Sequence, residues 1–484
     1  MAGDKYMWKP NRQSNRPVYL QIADLLGEKI AQGEYPPGSK LPSERKLAEQ
    51  YKVNRSTVVL AYSELRSQGV IETRPGSGTL VSPFRQRSVP PTPSWQAYAD
   101  SGNFLPNLPL LRRVREALEH DPGLIDFASG KLSLELVPSD EINRIIAEYR
   151  YSPHEGPDLP QGYLPLRQAL ADFLARYRGI QTTPDSIMVT SGSQQSLHLI
   201  TQCLLSPGDA IGVESPSFFR SLSMFQSAGL RLFRLPVDDQ GICPDSLRTL
   251  HRKHRIKMLF INPNFQNPTG TLLSRERRKL LLETASELRL PVVEDDPLGL
   301  TGYNGEQAFP LKSEDTASGM LYTGSFSRIA APGLHIGWIV APKSILSRLA
   351  DARRQMDLGF SIIPQHIAAE FMSSPAFVSH LELLRQRLLY KRNLTISALE
   401  RELPGIVNFN KPEGGIYLWC KLPGEINESR LLEAALQRGI AFVPGGVYGA
   451  ESGYLRLAYS RPPDQDIVPG ITGLADAVRA ELQK

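Results

Sequence analysis

Apolar residues recur at helical spacing near the start of the chain. Val18, Ile22, Leu25, Leu26 and Ile30 share one side of a helix that begins after Pro17 and stops at Gly33. A turn-rich stretch, EYPPGSKLP, leads to Ser43, an N-cap for a short second helix, SERKLAEQY, with Leu47 and Ala48 facing inward. Asn54 caps a third helix in which Val58, Tyr62 and Leu65 repeat along one side until Gly69. VIETRPGSGTLV then reads as two short strands about a tip at Pro75, Gly76, Ser77 and Gly78. The pattern predicts three helices and a β-wing. From residue 123 the period changes. Apolar β-branched runs (SIMVTSG, DAIGVESPS, KMLFINPN, LPVVEDDP, LYTGSFS, IGWIVAP) alternate with helical segments such as LPLRQALADFLARYR. That alternation predicts an α/β domain with a mostly parallel central sheet, whose functional residues lie at strand ends.

Length supports the division, because 484 residues exceed what one ordinary hydrophobic core organises. The expected parts are a winged helix-turn-helix over 1–82, a linker over 83–122, and a large domain over 123–484 ending in a smaller α+β subdomain. The linker opens with PFRQRSVPPTPSW, polar and proline-rich enough to be extended, and has room for a helix over LLRRVREALEH. Charge sharpens the picture. Residues 1–82 hold twelve Lys and Arg against eight Asp and Glu, a net of +4, while the whole chain carries +5. A basic module joined to a near-neutral one is what attachment to nucleic acid produces. No apolar run approaches the ~20 residues that span a bilayer, and the basic start has no apolar core behind it, so a cytoplasmic protein is expected. Cys203, Cys243 and Cys420 are far apart and odd in number, which argues for reduced thiols and against a metal site.

In helix-turn-helix modules the first turn of the recognition helix meets base edges, and neighbouring cations meet phosphates. Asn54, Arg55, Ser56 and Thr57 form that turn, with Arg45 near the start of helix two as a further candidate. The stretch from YLQIADLL to GSGTLV resembles the winged-helix domain of GntR-type regulators over almost its full length. By position, the resemblance implies DNA contacts from Ser43 and Arg45, from Arg55 and Thr57, and from Gly76 at the wing tip.

From about residue 123 the chain is similar to fold-type I aminotransferases. The similarity implies the following roles around pyridoxal phosphate. In TSGSQQSLHLI, Ser193 and Gln194 hold the phosphate at a helix N-terminus. Phe218 in ESPSFF stacks on the ring, Asn267 in NFQNPTG meets the phenolic oxygen, and Asp295 in VVEDDP pairs with the ring nitrogen. Arg456 in YLRLAYSR clamps a substrate carboxylate.

Three departures bear on the chemistry. Where the family reads SFSK followed by APGLRIGW, this chain reads SFSRIAAPGLHIGW, which puts Arg328 at the lysine position. A guanidinium stays protonated and is a very poor nucleophile, so no covalent link to the cofactor can form there. His335 stands where the family has a phosphate-binding arginine, and Leu298 stands where it has a hydrogen-bonding tyrosine. Transaminase activity is therefore not expected. Either the pocket holds pyridoxal phosphate or a related phosphorylated anion non-covalently, through Ser193, Gln194, Ser325 and Arg328, or it has lost that cofactor and the large domain mainly dimerises. The whole arrangement is similar to the MocR/GabR subgroup of GntR regulators. It implies a homodimer that binds double-stranded operator DNA and responds to a small effector such as an amino acid or amine. The alternative is a bifunctional, still pyridoxal-phosphate-dependent protein.

Overall fold

The computed structural model describes residues 8–14, 16–74, 78–82, 102, 104–152, 160–303, 308–357, 360–424 and 426–483. The chain divides into two compact units, Met1–Gly102 and Asn103–Lys484.

The first unit contains helices α1 (Val18–Ala31), α2 (Glu44–Tyr51) and α3 (Arg55–Ser67), then strands β1 (Ile71–Arg74) and β2 (Gly78–Val81). The strands pair antiparallel with Ile71 opposite Val81, closing the wing. Ile22 and Leu26 are fully buried, with Val18, Leu25 and Ile30 at the margin of the same cluster. Leu47, Val58, Tyr62 and Leu65 complete it from α2 and α3. The Tyr62 hydroxyl donates to the Pro42 carbonyl at 2.6 Å, so the buried phenol is satisfied. Gly76 lies outside the described residues.

In the second unit, helix α4 (Pro109–His120) buries Val114, with Leu108, Leu110, Leu111 and Leu118 packed on the same cluster. Arg113 adds two hydrogen bonds to Glu433, at 2.6 and 2.7 Å. The helical end of the expected linker is thus part of the large unit, because its apolar face has a core to join. The rest of that segment, 83–101, lies outside the described residues.

The central sheet has eight strands: β3 (Ile187–Thr190), β4 (Ala210–Ser215), β5 (Arg231–Asp238), β6 (Gly241–Ile242), β7 (Met258–Ile261), β8 (Val292–Asp295), β9 (Met320–Ser325) and β10 (Gly337–Val340). Their order is β3-β10-β9-β8-β7-β4-β5-β6. Strands β9, β8, β7, β4 and β5 pair parallel, while β10 runs against both its neighbours and β6 against β5. The sheet is mostly parallel, as expected, and β3, β4, β7, β8 and β9 are buried along almost their whole length because both faces are covered. A second, antiparallel sheet holds β11 (Asn408–Phe409), β12 (Tyr417–Lys421), β13 (Val443–Pro444) and β14 (Tyr454–Ala458) in the order β11-β12-β14-β13. No described helix is long and apolar enough to cross a membrane, no described residues form a metal-binding cluster, and the three cysteines are free.

Candidate functional site

At the first unit's exposed face, Ser43 is the N-cap of α2, its hydroxyl accepting from the Lys46 amide at 3.3 Å. Asn54 caps α3, and its Oδ1 accepts from both the Ser56 amide and the Ser56 hydroxyl at 3.1 Å. These two side chains therefore fix the helix start as well as facing outward. Arg55 is exposed, with Nη2 at 3.2 Å from Glu44 Oε2, and Arg45 is exposed beside Glu49 at 3.5 Å. Both arginines are held by single surface contacts, worth little in water and easily exchanged for a phosphate or a base. Thr57, in the same first turn, is half-buried.

The second site collects at the carboxyl ends of the parallel strands. β3 ends at Thr190 and leads through Gly192, with φ at 107°, into helix α5 (Ser193–Leu204). Ser193 is half-buried and Gln194 exposed at its first turn, where free amides point outward. An ideal Cβ on Gly337, at the start of β10, would come within 2.7 Å of the Gly192 backbone. This close approach of two glycines sets the position of the turn.

β4 ends at Ser215, and the Phe218 amide just beyond donates to the Asn267 carbonyl at 2.8 Å. Asn262, after β7, acts as a clip: its Nδ2 donates to the Asp295 carbonyl and its Oδ1 accepts from the Asn267 amide, both at 2.7 Å. Asp295 closes β8, is buried, and accepts from the Thr323 hydroxyl at 2.8 Å. Burial pushes its carboxyl up to about 7; Asp296 adds to the rise, while the Thr323 bond and Arg328 oppose it. Ser325 is buried at the end of β9, and Arg328 follows on the next turn, half-buried. His335 is exposed in the left-handed region at φ 49° and makes no hydrogen bond or ring contact among the described residues. Leu298 is buried in the apolar cluster and offers no donor.

Arg456 comes from the second sheet. It is 5% exposed; Nη1 donates to Asn267 Oδ1 at 2.9 Å and Nη2 to the Ala128 carbonyl. Its guanidinium stands 4.3 Å from the Tyr417 ring centre and 5.0 Å from that of Tyr448. The structure thus joins Phe218, Asn267, Asp295 and Arg456 through a connected set of bonds. Ser193, Gln194 and Ser325 stand at the same strand ends. Sequence reasoning did not reach Asn262, Thr323, Tyr417, Tyr448 or Gly130. Tyr417 and Tyr448 sit in apolar and glycine-rich runs, GGIYLW and PGGVYGA, that read as ordinary core and turn.

Comparison with known proteins decides the family. Residues 125–471 match the family described as aminotransferase class I and II, and residues 18–81 match bacterial regulatory proteins of the gntR family. The HTH-type transcriptional regulator YdfD of Bacillus subtilis is 37% identical over 94% of this chain and 95% of its own length. The chain belongs to the GntR-type transcription regulators that carry an aminotransferase-like domain. A second regulator from the same organism, YisV, is 36% identical to it over 98% of both chains. Among solved structures, Pyrococcus horikoshii kynurenine aminotransferase in complex with PMP superposes on the regulator with a TM-score of 0.72. It is 31% identical over 77% of the regulator and 95% of that enzyme. A multiple substrate aminotransferase from Thermococcus profundus gives a TM-score of 0.74 at 29% identity, covering 81% of the regulator and 99% of that enzyme.

Proposed function

We propose that this regulator binds operator DNA through the first turn of α3 and responds to a small carboxylate-bearing molecule held at the strand ends of its large unit, without transaminase activity. The observation that carries the DNA reading is the exposed Arg55 at the start of a capped helix inside a gntR-type fold. Arg55 and Thr57 would read bases, and Ser43, Arg45, Asn54 and Ser56 would approach the backbone or neighbouring bases, with Gly76 at the wing tip. Paired modules on a homodimer would gain affinity through effective concentration.

At the second site the donors suit pyridoxal phosphate as a non-covalent ligand. The α5 N-terminus with Ser193, Gln194 and Ser325 suits a phosphate, Asp295 a protonated ring nitrogen, Asn267 a phenolic oxygen, and Phe218 a ring face. His335, exposed and away from these contacts, adds little. When bound, the group supplies an aldehyde reactive toward amines. Arg328 occupies the lysine position and supplies no amine to meet it, which supports a sensing role over a catalytic one.

The test is Arg55→Ala against a duplex selected from a random pool by the unaltered protein. Fluorescence anisotropy should show affinity for that duplex falling by about tenfold or more, with relaxed preference at one base pair. Unchanged affinity, with the same dependence on salt, would place base reading elsewhere.

A further inference from the structure

A second guanidinium, that of Arg328, lies near Arg456, and among the described residues neither has a carboxylate partner. Arg456 spends two nitrogens on neutral oxygens, Asn267 Oδ1 and the Ala128 carbonyl, and its buried Nε has no hydrogen-bond partner. Arg328 is half-buried and makes no hydrogen bond or ion pair among the described residues. Tyr417 connects the two. Its ring lies against Arg456, while a Cβ placed on Gly130 would strike the Tyr417 hydroxyl and come within 3.1 Å of Arg328 Nη1. Gly130 thus leaves open the space in which the phenol and the Arg328 guanidinium meet. Tyr448 borders the same space, its ring centre 5.0 Å from the Arg456 guanidinium. Asp295 is engaged by Thr323 and forms no ion pair with Arg328.

A buried cation beside a half-buried one, without counter-charges among the described residues, is costly, and the cost is relieved when anionic groups arrive with good geometry. We propose that this chamber binds a small ligand carrying two anionic groups, one for Arg456 and one for Arg328, with no covalent link to the protein. A single molecule with both charges is favoured over two separate acids, because it is immobilised once and its second contact is intramolecular. Arginine suits this task better than the lysine of the related enzymes: it offers paired donors matched to a carboxylate or phosphate and stays charged when enclosed. The inference rests on the reading of this chamber as the effector site and specifies what enters it.

Titration calorimetry on the full-length protein, purified without added pyridoxal phosphate, tests it with succinate, phosphoglycolate and butyrate. The first two carry two anionic groups, of which phosphoglycolate has one as phosphate, and butyrate carries one. Succinate, phosphoglycolate or both should bind about tenfold or more tighter than butyrate, and which of them does so names the second group. Arg328→Gln should bring the dianions down to the level of butyrate, and Arg328→Lys should recover part of the loss, with an unchanged circular dichroism spectrum showing that both variants fold. Butyrate binding as tightly as both dianions, or an Arg328→Gln variant that keeps the full preference, overturns the two-arginine inference and leaves the chamber an acid-binding effector site. If no acid binds to a preparation that still binds its selected duplex, the inference and the effector reading fall together while the DNA-binding reading stands.

Discussion

Asp296 is fully buried, and three donors converge on it. Arg178 forms an ion pair with Oδ2, the Tyr322 hydroxyl donates to Oδ2 at 3.0 Å, and Asn264 Nδ2 donates to Oδ1 at 3.0 Å. Arg178 also reaches the carbonyls of Gly299 and Ala308, which ties a helix to two loops beneath the site. Removing the cation leaves a buried carboxylate with neutral donors only, so Arg178→Met should cost about 3–5 kcal/mol, read as a lower urea midpoint. The neighbouring acid behaves differently. Burial pushes Asp295 up to about 7, so between the ordinary carboxyl range and that value the folded chain holds a proton that the unfolded chain has released. Stability contributed at this position is therefore lost as pH rises toward 7 and stays low above it. Asp295→Asn keeps an acceptor for Thr323 and removes the charge, so it should raise the thermal midpoint at pH 8 and raise it by less at pH 5. Calorimetric scans at the two values, without cofactor, check this. The carboxylate at position 295 was singled out through the resemblance of VVEDDP to the aminotransferase pattern. Asn262 and Thr323, which hold it, were not, because a polar residue beside a strand end carries no signal until the partner strand is known.

Helix starts were the most legible elements, since capping is local chemistry. Ser43 and Asn54 both accept from amides in the first turn of the helices they precede. Asn54→Ala should cost about 1 kcal/mol and expose the first turn of α3 to faster amide hydrogen exchange, with α1 unaffected. Weakened duplex binding should accompany that fraying. The wing was legible from its turn residues and strand pattern. α4 was not placed correctly: its apolar spacing announced a helix, but the partner it packs on, centred on the second sheet, lies more than 300 residues further along the chain. Pairings across such distances leave no trace in a local pattern.

For the molecule as a whole, the order of motifs along the chain carried the two-part architecture, and the departures from that order carried the chemistry. The turn after β9 presents Arg328, which the proposed reading sets at the lysine position of the aminotransferase pattern. Incubation of Arg328→Lys with pyridoxal phosphate, followed by borohydride reduction, should leave a pyridoxyl group at position 328 detectable by mass spectrometry, whereas the unaltered protein should retain none. A labelled site in the variant shows that the surrounding scaffold is still competent. An unlabelled one shows that the pocket has changed beyond that single residue. The packing of α4 has a mechanical consequence. The Leu105 amide donates to Ser227 Oγ at 2.8 Å and the Pro106 carbonyl accepts from Ser223 Oγ at 2.9 Å, and the chain then packs through α4 and through a strand at Ile125–Asp126 that pairs with Ile440–Ala441. The last two of these grips are on the body that supplies Arg456 and Tyr417. α4 and the strands around Arg456 are thus a single piece, so any displacement of that piece would carry α4 with it.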